Sequence, residues 1–90
     1  MTHELKIMDY YADAVHSGDK QFELRYNDRG YQKGDIIRFK VMQEGTVFDS
    51  VYYEHPLHGK EYLITYVLAG FGGLTDGWCV LGIKPYGQEQ

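Results

Sequence analysis

Residues 18–25 read Gly-Asp-Lys-Gln-Phe-Glu-Leu-Arg, and they join a helix-like segment to a strand-like one. From Phe22 onward, apolar and charged side chains alternate, which is the period of a β-strand with two different faces. The pattern predicts that one face, made of three apolar side chains, is buried: Phe22, Leu24 and Tyr26. It predicts that Glu23 and Arg25 lie side by side on the other face.

Lys20 lies in the turn ahead of this strand, so three ionisable groups of mixed sign meet where the chain leaves the helix. Two interpretations are open. The groups could form a small polar site, in which Lys20 and Glu23 serve as base and acid if they are partly buried. Alternatively, they form a solvated strand face with an ion pair worth ~0–1 kcal/mol. The alternation alone favours the solvated face.

Length and cysteine content place the chain in a broad class. Ninety residues predict one domain, at residues 1–86, followed by a frayed tail at 87–90. The single cysteine, Cys79, allows no internal disulfide, which fits a reducing compartment. There is no apolar run long enough to span a membrane and no secretion signal, so we expect a cytoplasmic protein without a membrane partner.

Charge is unevenly distributed along the chain. The net charge of −4 argues against indiscriminate nucleic-acid binding. Residues 17–40, however, hold six of the nine basic residues and carry a net +2, whereas the remainder carries −6. This segment could bind an anion locally, although chance clustering on solvated strand edges explains the distribution equally well.

Periodicity predicts one helix and five or six short strands. Apolar residues recur at helical spacing from Met8 to Val15, and Gly18 is suited to end that helix. Alternation and β-branched or aromatic residues predict the strands, at residues 4–7, 21–26, 36–42, 46–53, 61–69 and 78–84. The expected fold is α+β and mainly β, a small mixed β-barrel with the N-terminal helix packed beside it.

The histidines do not predict a metal site. His55 and His58 are separated by a proline, and Cys79 has no partner cysteine nearby. Loop histidines on a wet surface are the expected outcome, and neither a metal nor a cofactor is expected.

The glycine-rich segment at residues 70–77 lacks the Lys-Ser/Thr ending of a phosphate-binding loop. It is interpreted as a mobile connection between two strands. Beside a cleft, such a loop could act as a flap through Gly72 and Gly73.

The pattern Gly18-x-Lys20-x-x-Glu23-x-Arg25 resembles the Gly-x-Lys-x-x-Glu-x-Arg motif of ASCH domains, members of the PUA-like superfamily. Three other segments resemble a small stand-alone bacterial and phage branch of unknown function: residues 3–7, 33–36 and 77–83. The resemblance covers nearly the whole chain. It implies a PUA-like β-barrel with a helix beside an RNA-binding cleft, lined by the three charged motif residues.

The leading functional expectation is therefore an RNA-binding or nucleotide-binding module. The expected cleft walls are Lys20, Glu23, Arg25 and Arg29. Some similar proteins hydrolyse the acetyl amide of N4-acetylcytidine with the motif lysine and a threonine three residues later. That position is Glu23 here, so the nucleophile is missing, while a ribonuclease activity stays open.

A third expectation is a protein-interaction domain without a nucleic-acid role. It calls for an exposed apolar patch of several hundred Å² around Tyr52, Tyr53 and Leu57.

Overall fold

The computed structural model describes residues 1–87, so the frayed tail predicted for residues 87–90 lies outside the described residues except for Gly87. The elements in chain order are β1 (Thr2–Met8), α1 (Asp9–Ser17), β2 (Phe22–Tyr26), β3 (Ile36–Gln43), β4 (Ser50–Val51), β5 (Glu61–Ala69) and β6 (Trp78–Pro85). The strand predicted at residues 46–53 is thus reduced to two residues. The chain turns sharply after Gly45, where the Phe48 carbonyl oxygen approaches the position that a Cβ would occupy.

The strands form one curled mixed sheet with the order β1-β3-β5-β6-β2, and β4 pairs with β3. Only β1 and β3 run parallel among the described pairs. Strands β1 and β2 lie at the two edges of the sheet. The sheet curls into a half-barrel in which these two edge strands do not pair with each other. The predicted class, mainly β with one helix, is confirmed, but the barrel stays open between these strands.

The core fills the concave side of the sheet. Its largest fully buried side chains come from five segments: Leu5, Ile37, Phe39, Val41, Leu57, Ile64, Cys79 and Leu81. Helix α1 buries Ala12 and Val15 and packs against β1 and β3. Gly18 ends it in the left-handed conformation, at φ +88°, and donates its N–H to the Val15 carbonyl at 3.1 Å.

Strand β2 is oriented opposite to the prediction. Glu23 is buried and lies beside Leu81 of β6, while Arg25 lies beside the buried Cys79. The apolar set predicted as core is about half exposed: Phe22, Leu24 and Tyr26. The alternation gave the period correctly. It could not give the buried face, because burial depends on which side of the strand the rest of the fold covers.

The prediction of wet loop histidines is wrong for His55, which is buried. Its Nδ1 accepts the Leu57 N–H at 3.0 Å, so Nε2 carries the proton and donates to Asp13 of α1 at 2.7 Å. The Nδ1 atom of His58 accepts the Val41 N–H at 3.1 Å. Both rings fix the loop that precedes β5 against its neighbours.

Candidate functional site

A cleft of about 690 Å³ lies between the open edges of β1 and β2. Residues of both strands line it, together with Tyr11 of α1 and the turns on either side of β2. The four predicted wall residues all line this cleft: Lys20, Glu23, Arg25 and Arg29. The charged motif residues Lys20, Glu23 and Arg25 therefore lie in the gap between the two edges of the half-barrel.

Glu23 is the centre of the cleft's charge network. It is only 3% exposed, and each of its carboxylate oxygens has a cationic partner. Oε1 accepts a hydrogen bond from Lys20 Nζ, and Oε2 accepts one from Arg25 Nε at 2.9 Å. A carboxylate removed from water needs such partners, because an unpaired buried charge is costly. The interpretation as a solvated face with a surface ion pair is therefore wrong.

Lys20 is held from several directions. Besides contacting Glu23, its ammonium donates to the Phe22 carbonyl at 3.0 Å. The same nitrogen lies 5.1 Å from the centre of the Phe22 ring and 5.7 Å from that of Tyr11, within cation–π range. Two of the three N–H donors of an ammonium are used in these contacts, which leaves the third for a ligand.

Two arginines cross the gap between the edge strands. Arg25 donates from Nη2 to the Lys6 carbonyl at 2.5 Å, and Arg29 donates from Nη1 to the Glu4 carbonyl at 3.0 Å. Both acceptors belong to β1, whose opposite edge pairs with β3. Side chains therefore take the place that strand-to-strand hydrogen bonds would occupy in a closed barrel.

The cleft is positively charged within an acidic chain. Its charged lining residues are four basic and two acidic ones: Lys6, Lys20, Arg25, Arg29, Glu23 and Asp28. These residues carry a net +2, whereas the whole chain carries −4. Such a local excess of positive charge favours an anionic ligand at this place.

Five aromatic residues also line the cleft: Tyr11, Phe22, Tyr26, Tyr31 and Trp78. Tyr26 and Trp78 are cross-strand neighbours whose rings meet edge to face at 5.9 Å. Burial raises the pKa of the Tyr31 hydroxyl, so this group stays protonated and able to donate at neutral pH. Reasoning from sequence placed the β2 rings in the core, because aromatic residues at strand positions are usually buried.

Gly77 positions the ring of Tyr26. It has a φ of +85°, and a Cβ at this residue would lie 2.6 Å from Cε1 of that ring. The tyrosine therefore lies directly on the backbone of the loop that precedes β6. Gly72 and Gly73 of the same loop are outside the lining of the cleft, which includes Trp78 at the start of β6. A flap movement of these glycines stays a prediction.

The other sequence candidates have different surroundings. Leu57 is fully buried and Tyr52 is partly buried, so only Tyr53 of the apolar patch expected around Tyr52, Tyr53 and Leu57 is largely exposed. Burial raises the pKa of the Cys79 thiol, which is inaccessible in the core. Within residues 1–87, no group of histidine, cysteine or acidic side chains is arranged to hold a metal ion. No helix in this range is long and apolar enough to cross a membrane.

Residues 2–83 match the family described as a domain of unknown function, DUF3850. None of the curated proteins matches the chain. All residues that line the cleft fall inside the matched range, so the cleft belongs to the family domain.

Proposed function

We propose that this chain, which belongs to the family described as a domain of unknown function (DUF3850), binds RNA or a nucleotide-sized piece of it between β1 and β2. One observation carries the proposal: a cleft with net charge +2 and five aromatic residues, in a chain of net charge −4. Cations that meet phosphates, together with rings on which bases stack, are the usual components of a single-strand site.

The size of the cleft limits the ligand. Its volume of about 690 Å³ is within the range of sites for small molecules. Such a space suits one or two nucleotides rather than a duplex. The acidic remainder of the chain would repel a long phosphate backbone, so few phosphate contacts are expected.

The resemblance to ASCH domains supports the proposal, and the contacts of the motif residues assign a role to each of them. The motif residues Lys20, Glu23 and Arg25 share one cleft, as that resemblance implies. Since both oxygens of Glu23 already bind cations, we assign it the role of holding Lys20 and Arg25 in place. The two cations are then the groups that meet the ligand.

Catalysis is the second candidate, and the contact between Lys20 and Glu23 in a shielded position is the observation that favours it. An amidohydrolase or ribonuclease would need Glu23 to release a cation before exchanging a proton. Incubating modified nucleosides and short RNAs with the protein, with Lys20→Ala as control, tests this candidate. Turnover that disappears in the variant would establish it, whereas saturable binding without turnover supports the binding module.

Fluorescence anisotropy of labelled decauridylate tests the proposed binding. The wild type should bind it saturably at low salt, and Arg25→Gln should bind at least about tenfold more weakly, since a charge-assisted contact is lost. Arg38→Gln is the matched control, because it removes the same charge from a residue that pairs with Glu61 outside the cleft. Equal losses in both variants, or no binding by the wild type, would contradict the proposal.

A further inference from the structure

The two arginines of the cleft are held at a fixed spacing. Arg25 is anchored on the carbonyl of Lys6, and Arg29 on that of Glu4. These acceptors are two residues apart on one strand, a separation of about 6–7 Å along β1. Because alternate carbonyls point to the same edge, both guanidinium groups lie along the cleft in a row.

Each guanidinium keeps donors for a ligand. A guanidinium carries five N–H groups, and the described contacts of Arg25 use two of them, on Glu23 and Lys6. The described contact of Arg29 uses one, on Glu4. Both arginines can therefore make a two-bond contact with a phosphate while staying anchored. The anchors fix the positions at which phosphates are bound.

The spacing matches a polynucleotide better than a free nucleotide. Successive phosphates of an extended single strand are separated by one sugar, a distance comparable to that between the anchors. The phosphates of a nucleoside diphosphate share one oxygen and are much closer. Beside the row, the half-exposed ring of Tyr26 and the neighbouring Trp78 offer a surface for an unpaired base. A duplex could not present a base there.

We infer that the cleft selects single-stranded RNA through one pair of successive phosphates, one bound by Arg25 and the other by Arg29, with a base against Tyr26 or Trp78. The inference rests on the proposed function and adds the ligand class. Free mononucleotides and nucleoside diphosphates bind one arginine at a time and are poor ligands.

Other charged groups that face the row modify this preference. Asp28 lines the cleft next to Arg29 in the chain, and its carboxylate repels a phosphate at that end. Lys6 and Lys20 line the cleft as well and add positive charge near Arg25. Asp28→Asn should therefore strengthen binding of the two-phosphate ligand.

Isothermal titration calorimetry with three uridine ligands tests whether the spacing of Arg25 and Arg29 selects the ligand. Uridine 5′-monophosphate has one phosphate, while uridine 5′-diphosphate and 5′-phosphorylated diuridylate have two, at short and long spacing and with similar charge. The diuridylate should bind at least about tenfold tighter than the diphosphate, since only it satisfies both arginines. Arg29→Gln should remove that difference, whereas Arg38→Gln, outside the cleft, should retain it.

The outcomes separate this inference from the proposed function. If the diphosphate binds as tightly as the diuridylate while decauridylate is still bound, the spacing inference is overturned and RNA binding stands. A preference for diuridylate that survives in Arg29→Gln also overturns it. If the protein binds neither decauridylate nor any of the three ligands, the proposed function fails with it.

Discussion

Glu23 accepts a hydrogen bond from Arg25 Nε at 2.9 Å on the inner face of β2, although the alternation of this strand predicts a solvated pair. The two residues are two apart on one strand, so they share a face in either orientation. Burial turns this face into a site, because water no longer screens the charges. The cleft holds its charges together because both side chains have this inward orientation.

Replacing Glu23 by glutamine should lower both stability and binding. Lys20 and Arg25, with side chains 18% and 24% exposed, would lose the carboxylate that neutralises them. We expect the free energy of unfolding to fall by about 1–3 kcal/mol in urea titrations, because shielded charges are left without a partner. Affinity for decauridylate should fall in parallel as the cations lose their positions.

The reference for this loss of stability is the ion pair between Arg38 and Glu61, which is more exposed and has an N–O distance of 2.7 Å. Arg38→Gln should change the free energy of unfolding by no more than about 1 kcal/mol, as is usual for surface ion pairs. A Glu23→Gln variant that is as stable as Arg38→Gln would show that the buried network contributes little.

Arg25→Lys should weaken RNA binding even though the charge is unchanged. The planar guanidinium contacts Glu23 and the Lys6 carbonyl at the same time, and a lysine ammonium cannot reproduce this geometry. We expect a loss of about tenfold in anisotropy titrations, the effect of one charge-assisted contact. Wild-type affinity in this variant would mean that positive charge alone suffices.

Gly77→Ala should disturb the aromatic wall of the cleft. The new Cβ would meet the Tyr26 ring at 2.6 Å, and φ at this residue is +85°. Gly59→Ala is the matched control, because its φ is +78° and no atom lies within 4 Å of the added Cβ. Both variants should lose about 1–2 kcal/mol of stability through the backbone.

Only Gly77→Ala should also reduce RNA affinity and alter the fluorescence of Trp78, which packs against Tyr26. If the two alanine variants bind RNA equally, the position of the Tyr26 ring is irrelevant to the ligand.

Acid should destabilise the fold through Asp35. The hydrogen bond from His3 holds the pKa of this carboxyl below its usual value, more than burial raises it, and the backbone N–H of Gln32 adds to the effect. Because the pKa of Asp35 is lower in the folded than in the unfolded protein, its ionised carboxylate stabilises the fold above about pH 4. This stabilisation is lost as the pH falls through the pKa of Asp35 in the folded protein.

Asp35→Asn should therefore be less stable than the wild type at pH 7, and the difference should shrink as the pH falls below about 4. Urea titrations between pH 2 and pH 7, with Asp76→Asn as a control on an exposed carboxylate, measure this. If the difference in stability between Asp35→Asn and the wild type stays constant from pH 2 to pH 7, ionisation of Asp35 does not stabilise the fold.

Local patterns predicted the elements well and their environment less well. The apolar stripe from Met8 to Val15 and the glycine at position 18 gave the helix and its end, because these signals lie within a few residues. The face of β2 depends on what covers each side of the strand. That is decided by segments far along the chain, which the alternation does not contain.

In the candidate site, too, the sequence predicted the residues but not their tertiary contacts. The motif spacing grouped Lys20, Glu23 and Arg25, and charge clustering added Arg29. The anchors of the arginines are backbone carbonyls at positions 6 and 4, which are 19 and 25 residues away in the chain. Every residue has a carbonyl, so no sequence signal marks these two as acceptors. Only the curl of the sheet brings them to the arginines.

The most direct test of the binding cleft is an amide NMR titration of the protein with 5′-phosphorylated diuridylate. The account predicts saturable shifts at Lys6, Glu23 and Arg25 and at the Trp78 indole, with little change in the loop at residues 54–60. Shifts confined to that loop or to the outer surface of β3 and β5, with the cleft resonances unmoved, would contradict it.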